Sequence, residues 1–185
     1  MISHPFQLIP FRTACILVVV FAIATLSIAS KLNKIGQPLT IPGISPHGIL
    51  SLEFAFTAKK AQDIVKDWSK ANVLNAAIYL QWLDFLFITA YSITLSLLCI
   101  LATKLLPNFN PQWLSAGIIL AWGQLAAALF DVIENICLFP FLYGANANLL
   151  PLASLASVSA GLKFIIVGIG LIYFLISVGI KICGV

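Results

Sequence analysis

Four long apolar runs dominate the chain, each near the roughly 20 residues that cross a bilayer core as helix. The first spans Thr13 to Ser30, behind Arg12. The second, Ala76 to Ala102, is closed by Lys104 and Pro107. The third opens on Trp113, a ring suited to the membrane interface, and is expected to run to Phe139 and stop at Pro140. The fourth runs from about Leu152 to Ile180, with Lys181 beyond it. Composition leaves no soluble alternative: 61% of the 185 residues are hydrophobic and 9% charged, where a soluble domain carries about 25%. The expected fold is all-α, a four-helix transmembrane bundle forming one integral membrane domain over residues 1–185. Such a multi-pass chain has membrane lipid as its first partner and both termini on one side. A net charge of +4, thinly scattered, argues against nucleic acid.

The first run has a second reading as a signal peptide, because Ser27 and Ala29 form a small-x-small pattern behind a short basic start. A retained helix is the preferred expectation, since four helices make a better bundle than three. Lys31 to Asn75 is the one long loop. Its start, "QPLTIPGISPHG", holds three prolines and two glycines and reads as extended or turn structure. Thr57 is then a plausible N-cap for a helix from Ala58 to Lys70. Ala58, Ala61, Ile64, Val65 and Trp68 share one face of that helix, and lysines and aspartates take the other. This suits an amphipathic helix lying in the interface, or one capping the bundle from outside. The loop holds six lysines, which the positive-inside rule would place in the cytoplasm. Four of them belong to the amphipathic helix beside two aspartates, so orientation stays open.

Against this background the polar residues inside the runs stand out. Asp84, Asp131 and Glu134 are three of only six acids, and Lys163 sits in the fourth run. Each charge costs roughly 3 kcal/mol at mid-helix, so four uncompensated ones would cost on the order of 12. They are expected to face inward. By helical rise Asp84 and Asp131 lie about 12 Å below the loop-side boundary and Lys163 about 16 Å, which puts three helices' charges in one layer. Gln81 and Tyr91 share the stripe of Asp84, Gln124 and Asn135 that of Asp131, and Ser159 that of Lys163. Three acids against one lysine leave excess negative charge, which a neutral acid or a bound cation would relieve. Glu53, alone in the apolar "GILSLEFAFT", is placed to dip in from the loop.

"LEFAFTAKKAQDIVKDW", "LDFLFITAYS", "FDVIEN" and Lys163 together resemble a family of small four-span bacterial membrane proteins. That family has a Leu-Glu-x-Ala loop segment ending in Trp, then Leu-Asp-x-Leu-Phe, Asp-x-x-Glu-Asn and a late Lys. The resemblance covers Gly48 to about Phe174 and implies a bacterial inner-membrane location. It strengthens the residue list and implies no reaction.

The remaining polar residues read blandly. His4 and His47 are expected to be solvated loop residues, and no E-x-x-H or H-x-x-x-H pair suggests a metal. Cys15, Cys99, Cys137 and Cys183 lack any C-x-x-C and are expected to be buried apolar side chains. Ser157 with Gly161, and Gly123 with Ala127, read as helix-packing notches. Nothing in the chain implies a cofactor, and the oligomeric state stays open. The preferred function is an intramembrane polar site for a small hydrophobic or amphipathic ligand, an ion or a proton. Its candidate residues are Asp84, Asp131, Glu134, Asn135, Lys163, Glu53, Gln81, Tyr91 and Gln124. Two alternatives remain: a lipid-modifying enzyme with a carboxylic acid and a carboxylate as acid and base, or an assembly subunit in which the cluster is a helix clamp.

Overall fold

In the computed structural model, which describes residues 3–107, 109–144 and 150–183, the fold is all-α. The helices are α1 (Phe11–Gly36), α2 (Ile49–Glu53), α3 (Ala58–Lys70), α4 (Leu74–Leu105), α5 (Pro111–Leu142) and α6 (Leu150–Cys183). Among the described residues α1, α4, α5 and α6 are long and apolar enough to cross a membrane, as a multi-pass membrane protein requires. Burial separates them: 61% of the apolar window of α4 is buried in protein, against 6% for α1 and 17% for α6. Helix α4 is therefore the core helix, and α1 and α6 present most of their apolar surface outward.

The helices outrun the apolar runs that announce them. Helix α1 continues past Ser30 through Lys31 and Lys34 to Gly36. Lysine stems can cover apolar surface while their ammonium groups reach water, and Lys34 in the last turn complements the helix dipole. Helix α5 does not stop at Phe139; it carries Pro140 and ends at Leu142. Proline removes one helical hydrogen bond, which a helix tolerates where packing holds its last turn. Here Phe141 and Leu142 are each 2% exposed, and the Phe139 ring lies 4.7 Å from that of Trp82.

The chain divides into two packing units, each taking a section of every long helix. The terminal unit comprises Met1–Leu26, Thr89–Ala128 and Lys163–Val185. Its core is Cys99, Ile100, Ala102, Ala121 and Tyr173. Two glycines are dictated by close approach. A Cβ at Gly117 would fall on the Tyr173 hydroxyl, which donates to the Trp113 carbonyl, and a Cβ at Gly170 would fall on Gln124 Nε2. The N-terminal segment is held by three side chains. Trp122 Nε1 donates to Ser3 O at 3.1 Å, Lys104 Nζ donates to the carbonyls of Gln7 and Ile9, and His4 Nε2 lies 3.3 Å from Ser96 Oγ. His4 is thus not solvated but 2% exposed, with its ring against Phe6 and Trp122. Its Nδ1 accepts from Phe6 N, so the neutral ring carries its proton on Nε2 and donates to Ser96. Burial lowers the His4 pKa below its usual 6.5.

The loop unit comprises Ser27–Ile88 and Leu129–Leu162. Thr57 caps α3, accepting from Lys60 N at 3.3 Å. Ala61, Ile64, Val65 and Trp68 of α3 are buried against Leu39, Leu52, Leu80 and Leu138. The apolar face is therefore taken up by protein, which is the capping arrangement. Trp68 anchors the preceding loop: its Nε1 donates to Leu39 O and Ser45 Oγ, both at 3.0 Å. Between those residues Ile41–Ile44 forms a tight turn, with Ile44 N donating to Ile41 O at 3.1 Å. Pro42 and Gly43 occupy its centre, and Gly43, at φ +79°, supplies the positive φ that the turn requires.

Of the cysteines, Cys99 and Cys137 are buried as expected, whereas Cys15 is half-buried and Cys183 exposed. Those two lie on α1 and at the end of α6, helices with little protein around them.

Candidate functional site

The loop unit contains a cavity of about 300 Å³. Asn33 and Gly36 of α1, Gln37, Thr40 and His47 of the loop, and Glu53 of α2 line one part of it. Leu80, Gln81 and Asp84 of α4 and Asn135 of α5 line another. At about 30 Å³ per water it holds on the order of ten waters, the lower end of the range for ligand pockets. Among the described residues no lysine or arginine lines it.

Three of its polar side chains form one hydrogen-bonded run. Asn135 Nδ2 donates to Asp84 Oδ2 at 2.8 Å, and Gln81 Nε2 donates to Asn135 Oδ1. Helical spacing explains the run: Gln81 and Asp84 stand one turn apart on α4, so one amide from α5 reaches both. The run has one direction: Asn135 turns its NH₂ to Asp84 and its oxygen to Gln81. Gln81 must then donate to Asn135, and its own Oε1 is left without a hydrogen-bond partner although the residue is 2% exposed. Buried acceptors of this kind cost about 1–3 kcal/mol if nothing meets them.

Glu53 comes to the cavity from the loop, and α6 fixes its approach. Ser157 Oγ donates to Glu53 O at 2.6 Å and accepts from Phe56 N at 3.0 Å. Ser154 Oγ donates to Phe56 O at 2.9 Å. Both backbone groups of Phe56 are thus captured, which holds it at φ +58°, a conformation that bulky residues rarely adopt. Gly48, also at the cavity, has φ +58° and ψ −128°, a region open essentially to glycine alone.

The other candidates are placed elsewhere. Asp131 and Glu134 belong to the loop unit, 3% and 0% exposed, but do not line the cavity, so "FDVIEN" reaches it through Asn135. Tyr91, Gln124 and Lys163 fall in the terminal unit. Tyr91 is buried there, and Gln124 Nε2 donates to Ile166 O at 3.2 Å. Lys163, 8% exposed, has its Nζ 5.2 Å from the centroid of the Phe164 ring. Ser159 is buried in the loop unit.

Several lining residues had no sequence signal, among them Asn33, Thr40 and His47, because the path of the loop depends on distant anchors. Ser154 and Ser157 did have one, a pair of hydroxyls one turn apart on an apolar helix. Ser157 makes hydrogen bonds rather than a packing notch with Gly161, where a Cβ would meet nothing within 4 Å. No family model, no curated protein and no solved structure matches the chain.

Proposed function

We propose that this is a ligand-binding membrane protein, whose loop-unit cavity takes the polar head of a small amphipathic molecule. The observation that carries the reading is the cavity of about 300 Å³ in which Glu53, Asp84, Gln81 and Asn135 converge from three helices. Leu32, Leu80, Ile49 and Leu50 supply an apolar wall to the same space, as an alkyl chain would need. The clamp reading has one point in its favour, since the Gln81–Asn135–Asp84 run ties α4 to α5. A clamp alone does not call for Glu53 to be brought from the loop, nor for a strained positive φ at Phe56.

Mass spectrometry of small molecules retained through purification in mild detergent tests the proposal. One amphipathic species enriched over bulk lipid is expected, and it should be depleted in Asp84→Asn. A retained set identical to bulk lipid in both proteins would refute it.

A further inference from the structure

We propose that the head group this cavity selects is a protonated amine carrying N–H donors, and that anionic and neutral heads are rejected. The inference rests on the ligand-binding reading and adds the chemistry of the ligand. Its basis is the direction of the hydrogen-bonded run. Asp84 accepts, so Asn135 donates to it; Asn135 then accepts, so Gln81 donates; and Gln81 Oε1 remains as a buried acceptor without a protein donor. Two carboxyl side chains, Glu53 and Asp84, line the same space, and among the described residues no lysine or arginine does. Among the described residues the acidic side chains of that wall thus face no lysine or arginine in it, and Gln81 Oε1 adds an acceptor without a protein donor.

Each class of head group meets that wall differently. A phosphate or carboxylate would bring like charge to Glu53 and Asp84 in a poorly screened site. A hydroxyl brings one donor and no charge. A quaternary ammonium brings charge but no N–H for Gln81 Oε1. A primary ammonium brings charge and three donors together, enough for two carboxylates and an amide oxygen. A metal ion fits less well: among the described residues no three His, Cys, Asp or Glu side chains gather to hold one. The apolar wall of Leu32, Leu80, Ile49 and Leu50 suits an alkyl chain and gives bare ions nothing to meet.

The test uses the full-length protein in nonionic detergent, with thermal stabilisation and native mass spectrometry as readouts. The probes are decylamine, decyltrimethylammonium, decanol and decyl phosphate. Butylamine separates a soluble amine from a lipid-borne one, as does an aminophospholipid set against a phosphatidylglycerol of the same chains. Charged hydrogen bonds contribute about 1.5–3 kcal/mol, so decylamine should bind at least about tenfold more tightly than the other three heads. Gln81→Met should narrow the gap between primary and quaternary ammonium, because it removes the acceptor and keeps the bulk. Asp84→Asn should abolish the preference for cations. Should that variant fail to fold, Gln37→Arg adds positive charge at an exposed lining position and should weaken amine binding while strengthening phosphate.

Equal or tighter binding of decanol or decyl phosphate, still sensitive to Gln37→Arg, would overturn the amine assignment and leave the ligand-binding reading standing. Displacement of decylamine by millimolar sodium or calcium would overturn it in favour of an ion site. Binding of every probe unaffected by all three variants would overturn both readings.

Discussion

The two packing units bury polar groups in different ways. In the terminal unit the donors are tied off one by one, mostly to backbone or to a single hydroxyl. Gln124 donates to Ile166 O, Tyr173 to Trp113 O, Lys104 to Gln7 O and Ile9 O, and Trp113 Nε1 to Ser177 Oγ. Thr25 and Thr94 pair through their hydroxyls. Glycines at 117 and 170 bring these partners close. In the loop unit Ser154, Ser157 and Trp68 make bonds of the same kind, but three further side chains are linked to one another beside a cavity. The terminal arrangement is what helix registration needs. The loop arrangement places two acidic side chains in the wall of a cavity, next to a loop in which Phe56 is held at a strained positive φ. Polarity inside a membrane bundle is therefore not one phenomenon, and how each polar group is partnered tells the kinds apart.

The largest expected effect is at the residue that assembles the loop unit. Trp68 is 0% exposed and holds Leu39 and Ser45. Trp68→Ala should cost about 3–5 kcal/mol, the usual range for a buried aromatic, and should free the loop that lines the cavity. Denaturation in mixed micelles, with proteolysis between Lys31 and Lys60 as a second readout, would check this. A loss under about 1 kcal/mol would mean that the loop has other anchors.

Next comes a pair of substitutions that sets one unit against the other. Asn135→Leu strands Gln81 Nε2 and takes a donor away from Asp84, and should cost about 2–5 kcal/mol. Gln124→Leu removes a single hydrogen bond together with an amide oxygen that has no partner, so it should change stability by about 1 kcal/mol or less. Equal losses would erase the distinction between the units. Close approach gives the terminal unit its own sensitivity: Gly170→Ala should cost about 1–3 kcal/mol through overpacking against Gln124. Combining it with Gln124→Ala should recover part of that loss.

The smallest effect is a pH dependence confined to the terminal unit. Burial depresses the His4 pKa, so below 6.5 the unfolded chain takes up a proton that the folded ring resists. The stability linked to His4 is fully present above pH 6.5 and is lost as pH falls through the lower folded value. A thermal melt series from pH 7.5 to 5 should fall more for wild type than for His4→Gln, with the loop unit unaffected. Identical slopes would show that His4 does not titrate between the folded and unfolded states.

Sequence patterns carried the helices well and the cavity only in part. Helix α3 was legible to its ends because three-and-four spacing and the Thr57 cap act locally. The long helices were legible in number but not in length: hydropathy falls at Lys31 while the helix continues to Gly36. Glu53 stood out as an acid in an apolar run, and Gln81, Asp84 and Asn135 as polar groups within spans. The rest was hidden because it depends on contacts between distant residues. Asn33, Thr40 and His47 line the cavity through a loop path set by Trp68. His4 looked solvated between polar and proline neighbours, and its burial comes from Ser96 and Trp122.

The measurement that bears most directly on the contrast removes the loop unit's polar run as a whole. In Gln81→Leu/Asp84→Leu/Asn135→Leu the three members of the run go together, and replacing buried polar partners jointly by apolar side chains is often near neutral. Stability and retained small molecules would be measured on the same preparation. A melting point close to wild type with the retained species gone is the expected result, and it would mean that the polar run serves a ligand. Wild-type retention in the triple variant, or a loss of stability greater than that of Asn135→Leu alone, would contradict it and make the run a clamp.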